Sequence, residues 1–474
     1  MHSIDQIYID GTFVTPHGEE RFDLYNPATA KVIGTVRLGD VEDTRRAIAA
    51  AKRAFETYSR STVAERIELL HRLHKAVAAR ADDMSAAMTE EYGAPPERAH
   101  WTSVYAAQSF LDAAKTLETY PLSRRIGTAE VMMEPVGVAA LITPWNANAG
   151  FICSKLATAL AAGCTVVIKP SEMSAIQTQV VLEALHDAGL PKGLYNVVNG
   201  RGDVVGNELS TNRDIAKVSF TGSTAVGKTI MRAATETLKR VTLELGGKSP
   251  TVILPDADLE TAIPLAVAAG FVNSGQACIA GTRILVHADR LEEANRLVKA
   301  AVENTVVGDP LDARTEVGPM VSLKQWERVQ NYIRLGTEGG ATLLAGGEGK
   351  PDGLGGYFVK PTVFTNVTND MQIAREEIFG PVLSVLTYRD EEEAIAIAND
   401  TDYGLQAVVI GADLAHAHEV AGRLQAGRVL INGMHHEPFA PFGGFKQSGI
   451  GREFGTFGLE AYLEPKSLLG AFAA

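Results

Sequence analysis

The sequence predicts an α/β protein, and three observations carry that prediction. Between residues 136 and 245, short apolar runs of strand texture alternate with stretches of helical periodicity, the pattern of a parallel sheet with crossover helices. The alternation resumes with new partners after residue 246, which predicts a second α/β unit. The chain has 474 residues, 46% hydrophobic and 21% charged, enough length for two or three domains and the composition of a soluble globular protein.

Residues 8–38 alternate apolar and polar side chains around Gly11, Asn26-Pro27 and Gly34, a pattern of short strands and turns. Asp40-Val-Glu-Asp43 has the form of a helix cap, and Ile48, Ala51, Phe55 and Tyr58 then recur at helical spacing. Ser61 opens a second amphipathic helix carrying Val63, Ile67, Leu70, Leu73 and Val77. From about 117 to 142 the texture becomes strand on both sides of Pro135. Residues 165–169, 194–198 and 215–220 read as strands, and 178–188 and 225–239 as helices. Beyond Leu243-Glu-Leu-Gly-Gly247 the alternation continues through 250–254, a helix at 292–305 and the apolar run 394–398, with a glycine-rich loop at 346–356.

The net charge of -13 argues against nucleic acid or an anionic membrane as partner, and no apolar run approaches the ~18 residues of a membrane span. The first residues lack the apolar core of a signal peptide, so a cytoplasmic location is expected. Cys153, Cys164 and Cys278 are too few and too scattered for a disulfide framework or a zinc site. His435-His436-Glu437 does not suggest a metal either, because adjacent histidines on an extended segment point to different sides.

One stretch pulls toward another chemistry. Gly222-Ser-Thr-Ala-Val-Gly227-Lys228-Thr229 satisfies the phosphate-loop pattern between a predicted strand and a predicted helix. A nucleotide triphosphatase also needs an acidic residue at another strand end for Mg²⁺, and the nearest candidate is Asp256, just after Pro255. The same strand, turn and helix serve a dinucleotide, with Gly222 and Gly227 admitting a pyrophosphate and a neighbouring strand and Lys228 a solvated helix residue.

Three other segments are more specific. Phe271-Val-Asn-Ser-Gly-Gln-Ala-Cys278 places a cysteine in a turn able to expose a thiol, Leu243-Glu244-Leu-Gly-Gly247 puts a carboxylate at a strand end, and Thr143-Pro-Trp-Asn146 puts an amide beside a rigid turn. They can supply a nucleophile, a base and an oxyanion donor. Taken singly, each also reads as a core cysteine, a solvated strand end and a turn-former. Together with Lys169-Pro-Ser-Glu172, Phe220-Thr-Gly-Ser223, Glu376-Glu-Ile-Phe-Gly-Pro381, Pro441-Phe-Gly-Gly444 and Ser448-Gly-Ile-Gly-Arg-Glu453, in this order, they resemble the NAD(P)-dependent aldehyde dehydrogenase superfamily from about residue 8 to 465.

The resemblance implies a Rossmann-like NAD-binding domain over 1–116 and 136–245 and an α/β catalytic domain over 246–459. It further implies a small β oligomerisation element over 117–135 and 460–474, in a homo-oligomer, dimer or tetramer. Cys278 would be the nucleophile, Glu244 the general base, and Asn146 with the Cys278 N–H the oxyanion hole. Lys169 and Glu172 would hold the adenosine ribose, and Glu377 and Phe379 the nicotinamide ribose and ring. Gly202 and Gly206 would lie near adenine and pyrophosphate, as would Ile142, Thr143, Trp145, Phe220, Thr221, Gly222, Ser223 and Val226, with Leu245 near the nicotinamide. The phosphate-loop match is then coincidental. Glu172 would accept a ribose 2′-hydroxyl and repel a 2′-phosphate, so NAD is expected over NADP, the weaker alternative. A water-activating Glu244 favours hydrolytic oxidation of an aldehyde over acyl transfer to coenzyme A or phosphate. Small side chains at Ala147, Gly150, Ser154 and Val272 predict a wide pocket unless Phe151, Phe439 or Phe442 fills it, with His436 adding a polar contact. An aromatic or medium-to-long aldehyde is the expected substrate.

Overall fold

The computed structural model describes residues 1–470, which build two large, mainly parallel sheets and two small ones. The first large sheet runs Gly449–Ile450, Arg240–Glu244, Lys217–Thr221, Val138–Ile142, Thr165–Lys169, Tyr195–Val197, Ile7–Ile9, Thr12–Val14. From Val138–Ile142 the chain adds two parallel strands on one side, then returns to add two on the other. The carboxyl ends of Val138–Ile142 and Lys217–Thr221 therefore flank the point where the winding reverses, which is where doubly wound sheets open a crevice.

Period-two alternation covers both faces. Ala139, Leu141, Val166 and Ile168 pack on one side with Leu70, Leu73, Phe110, Leu156 and Leu160, whereas Val138, Ala140, Ile142 and Val167 pack on the other with Ala47, Ile48 and Ala51. The helices concerned are α1 (Val41–Tyr58), α2 (Val63–Ala78), α4 (Pro96–Thr119) and α5 (Asn148–Ala162), with α3 (Ala81–Tyr92) between α2 and α4. Asp40 caps α1 through the amides of Glu42 and Asp43. The cap of α2 is Thr62, one residue after the expected Ser61, because Glu65 returns a 2.7 Å hydrogen bond from the Thr62 N–H and closes a capping box. Helix α4 continues through 117–119, where strand was expected. The predicted helix at 225–239 stops at Ala234, since Leu238 turns left-handed (φ 52°) before the strand beginning at Arg240.

The second large sheet orders Thr342–Ala345, Thr362–Thr365, Val382–Tyr388, Arg283–His287, Pro250–Ile253, Gln406–Ile410, Arg428–Ile431, all parallel except the first. Residues 394–398 are helical, within Glu391–Asn399. Ser123–Ile126, Ala129–Pro135 and Leu463–Leu469 form a separate antiparallel sheet, and residues 471–474 of the expected oligomerisation element lie outside the described residues. Among the described residues no helix is long and apolar enough to cross a membrane. Near its end the chain leaves the second sheet and returns to the first, where Gly449–Ile450 pairs with Leu243 and Glu244. Gly449 has φ 148°, and a Cβ there would meet the Leu243 carbonyl oxygen at 1.9 Å.

Candidate active site

After the helix Leu259–Phe271, residues Asn273, Ser274 and Gly275 follow one another at positive φ (54°, 58° and 71°), a run that only Gly adopts freely and Asn tolerates. Asn273 Nδ2 locks it by donating to Asn146 O at 2.9 Å and Gln276 O at 3.2 Å. Gln276 Nε2 in turn donates to Tyr92 Oη and Pro319 O, both at 3.2 Å. This loop holds Cys278 partly exposed, whereas Cys153 and Cys164 are buried. Burial, then the charges of Glu377 and Glu244, push the Cys278 thiol up to about 12, and Arg428 pulls the other way.

Glu244 ends its strand with a buried carboxylate, and neither oxygen has a hydrogen-bond partner. Burial first and Glu453 second raise it well above the carboxylate range. The approach of the returning segment leaves no room for a side chain at Gly443, where a Cβ would lie 2.8 Å from Glu244 Oε1. Asn146 Nδ2 donates to Gln276 O at 2.9 Å, which ties it to the cysteine loop and leaves a second amide hydrogen for a ligand.

Two cavities meet here, and Asn146, Phe151, Thr221, Glu244 and Cys278 line both. The first, about 1510 Å³, passes Trp145, Gly222, Ser223, Leu245, Glu377 and Phe379. Phe379, at φ 64°, sets its ring edge-on to Trp145 at 5.5 Å. Glu377, pushed to about 7 by burial, accepts from Gly247 N at 3.0 Å. Lys169 Nζ pairs with Glu172 at 3.1 Å, and Arg201, which sequence reasoning missed, lies 3.9 Å from the other Glu172 oxygen. Ile142 and Phe220 are buried in the sheet and line neither cavity. Gly202 and Gly206 bracket one wide helical turn with open space where a Cβ would stand, and Val226 is exposed on the helix Thr224–Ala234, capped by Ser223. The hydroxyls of Thr143, Thr221 and Thr224 are buried without partners near these strand ends, a donor and acceptor set suited to a dinucleotide at a helix N-terminus. Lys228 is exposed and donates to Gln447 Oε1 at 2.7 Å, while Asp256 follows a strand of the other sheet and accepts from the Ala412 and Asp413 amides. The two halves of a phosphate-loop site are thus not brought together.

The second cavity, about 1190 Å³, contains Ala147, Gly150, Ser154 and Val272 as expected, with Phe151, Phe442 and His436 but not Phe439. The width expected from Gly150 is taken up by Tyr105, whose Cδ1 would be 3.2 Å from a Cβ at Gly150. Tyr105 stacks on Trp101 at 5.1 Å, and His436 meets both rings edge-on. Arg98, Trp101 and Tyr105, missed in the sequence, share one face of α4. Their i, i+3, i+7 spacing was the available signal.

The family model described as "Aldehyde dehydrogenase family" matches residues 13–468. The chain is 45% identical to 3-succinoylsemialdehyde-pyridine dehydrogenase from a Pseudomonas species, over 99% of each chain. It is similar to the structure of a mutant of aldehyde dehydrogenase C from Pseudomonas syringae complexed with NAD+ and octanal, with TM-score 0.97, 43% identity, and 98% and 96% of the two chains covered. It is also similar to betaine aldehyde dehydrogenase from Staphylococcus aureus in complex with NAD+, with TM-score 0.95, 37% identity, and 98% and 94% covered. On a match that runs nearly end to end, over a fold that gathers a thiol, a free carboxylate and an amide at the meeting of two cavities, the chain belongs to the aldehyde dehydrogenase family.

Proposed function

We propose that the protein is a hydrolytic NAD-dependent aldehyde dehydrogenase acting on an aromatic or medium-to-long aldehyde. The observation that carries this reading is the junction itself: Cys278, Glu244 and Asn146 line both a cleft along the strand ends and a separate aromatic-walled cavity. Attack by Cys278 Sγ makes the aldehyde carbon tetrahedral, with Glu244 taking the thiol proton. The Asn146 amide and the Cys278 N–H receive the oxyanion, a donor of this kind being worth ~3–4 kcal/mol. NAD, when bound in the cleft, supplies the hydride acceptor. Glu244 passes that proton on to solvent and then takes another from the water that opens the thioester and frees the Cys278 thiolate, and its two unpartnered oxygens favour hydrolysis over acyl transfer to coenzyme A or phosphate.

Lys169 and Glu172 would hold the adenosine ribose and Glu377 the nicotinamide ribose, with Phe379 and Leu245 against the ring. Glu172 supports NAD over NADP, and the nearby Lys169 and Arg201 reduce the margin. A cytoplasmic homo-oligomer is the accompanying reading, supported by the largely exposed three-stranded sheet, on which Ile126 and Leu469 stand open.

The test is pre-steady-state turnover with NAD and an aldehyde panel. Cys278→Ala should abolish both hydride transfer and acyl-enzyme, whereas Glu244→Gln should slow steady turnover and retain a burst only if the Cys278 thiolate forms without Glu244. Full turnover by Cys278→Ala would sink the reading.

A further inference from the structure

The second cavity holds two cations that the reaction does not require. Arg98, in the first turn of α4, lies with its Cζ 4.7 Å over the Trp101 ring, and its Nε is sealed from solvent without an acceptor. Arg428 donates Nε at 2.8 Å, and Nη2 as well, to Gln406 Oε1, with its Cζ 5.4 Å from the Phe442 ring centre. Gln406 is itself anchored on Ile279 O at 3.1 Å.

The nearby carboxylates do not neutralise them. Glu453 Oε1 accepts from Lys155 and Ser219, and Glu437 accepts the Phe439 amide. The Glu244 oxygens accept from nothing. Elsewhere on this chain of net charge -13, Arg21, Arg45 and Arg389 are ion-paired, and the buried Arg66 and Arg283 spend their N–H groups on neutral oxygens. Two half-buried guanidiniums facing one cavity, with only aromatic rings and an amide for company, leave N–H groups free for an anion there. One side of the wall is flat and aromatic, with Trp101 on Tyr105 and Phe442 and Phe454 packed beside them, and Glu244, Glu453 and His436 share the cavity.

We infer that this cavity recognises an aldehyde whose far end carries a carboxylate, a semialdehyde of a dicarboxylic acid or an aromatic aldehyde-acid, with Arg98 and Arg428 receiving the carboxylate between aromatic walls. This rests on the dehydrogenase reading above and narrows its substrate class. The competing role for the two arginines is to stabilise the Cys278 thiolate, which would affect every aldehyde alike.

The probes are para-carboxybenzaldehyde and para-formylbenzamide, equal in shape and different in charge. Initial rates are measured with NAD for the full-length protein and for Arg98→Gln, Arg428→Gln and the double variant. Alkylation of Cys278 by iodoacetamide is followed across pH in parallel. The expected result is a preference for the acid of about tenfold to a hundredfold in kcat/KM, the range of a charge-assisted hydrogen bond, which falls toward unity in the double variant through the KM of the acid. Removing Arg428 should move the pH at which alkylation accelerates upward, since Arg428 opposes the rise of the Cys278 thiol, so the acid-to-amide ratio of kcat/KM carries the test. An acid no better than the amide overturns the inference, as does equal slowing of both substrates in the double variant. Binding of both probes to Cys278→Ala by calorimetry separates the two layers. If no aldehyde is turned over, the dehydrogenase reading fails, and calorimetry then upholds the anion site if the acid binds more tightly and overturns it if the two bind alike.

Discussion

Replacing Gly150 with alanine tests whether α4 sets the width of the substrate cavity. A Cβ at this position would stand 3.2 Å from Tyr105 Cδ1, 3.6 Å from Tyr105 Cε1 and 3.7 Å from Thr102 Cγ2, all side-chain atoms of one helix. Only the first contact is tight, so the Tyr105 ring must give way by a few tenths of an ångström, taking with it the Trp101 stack and the edge contact to His436. Stability should change little, because alanine in place of glycine favours α5 by up to ~1 kcal/mol and offsets part of the crowding. Specificity should change more. Contacts worth ~1–3 kcal/mol in a pocket amount to roughly ten- to two-hundredfold, so a shifted Tyr105 should cost an aromatic or long aldehyde about tenfold in kcat/KM. Acetaldehyde, reacting at Cys278 without reaching Tyr105, should lose almost nothing. The assay is formation of reduced cofactor over both aldehydes, with Tm measured alongside. Equal loss for the two at unchanged Tm would mean that Gly150 acts through the Asn146 turn and that Tyr105 does not gauge substrate size.

Three further outcomes are expected. Glu91 accepts from Ile176 N, Gln177 N and Gln177 Nε2 and is pushed by burial from 4.5 to about 8. A folded value above the unfolded one means that its contribution to stability is complete below about pH 4.5 and lost as pH rises through about 8, so the Tm of Glu91→Gln should gain on wild type between pH 5 and 9; parallel Tm curves would refute this. Lys228→Ala, which removes only the bond to Gln447, should leave aldehyde oxidation within a few-fold of wild type, and a large loss of rate would contradict its surface role. Glu172→Gln leaves Lys169 and Arg201 without their shared carboxylate and should shift the NADP-to-NAD ratio of kcat/KM toward NADP by about tenfold; an unchanged ratio would remove Glu172 from cofactor choice.

Legibility followed distance along the chain. Cys278, Glu244 and Asn146 announce themselves because each sits in a short motif whose glycines or proline shape the local backbone. The parallel strands are equally plain, since burial on both faces turns residues 138–142 and 165–169 into continuous apolar runs. Helix α4 is harder to see: its buried face is largely alanine, with Ala99, Ala106, Ala113 and Ala114, so its hydrophobic contrast is weak. The functional face of α4 acquires meaning only when it packs on α5 some forty positions away, where Tyr105 takes the space beside Gly150. Arg428 is illegible for the same reason, as its neighbours Gln406, Phe442 and Cys278 come from separate elements.

The returning strand Gly449–Ile450 bears on how the enzyme comes into being. Ser448 Oγ reaches Gly246 O across 202 positions of chain, and Glu244 pairs with Gly449 in the same ladder. Contacts of such separation must close a long loop before any native pairing rewards them, and so form late. A refolding chain can thus complete its inner strands and helices while the edge beside Glu244 is still bare. Catalytic competence should therefore lag behind recovery of helix signal, and a nick in the loops before residue 441 should silence hydrolysis while leaving most of the secondary structure standing.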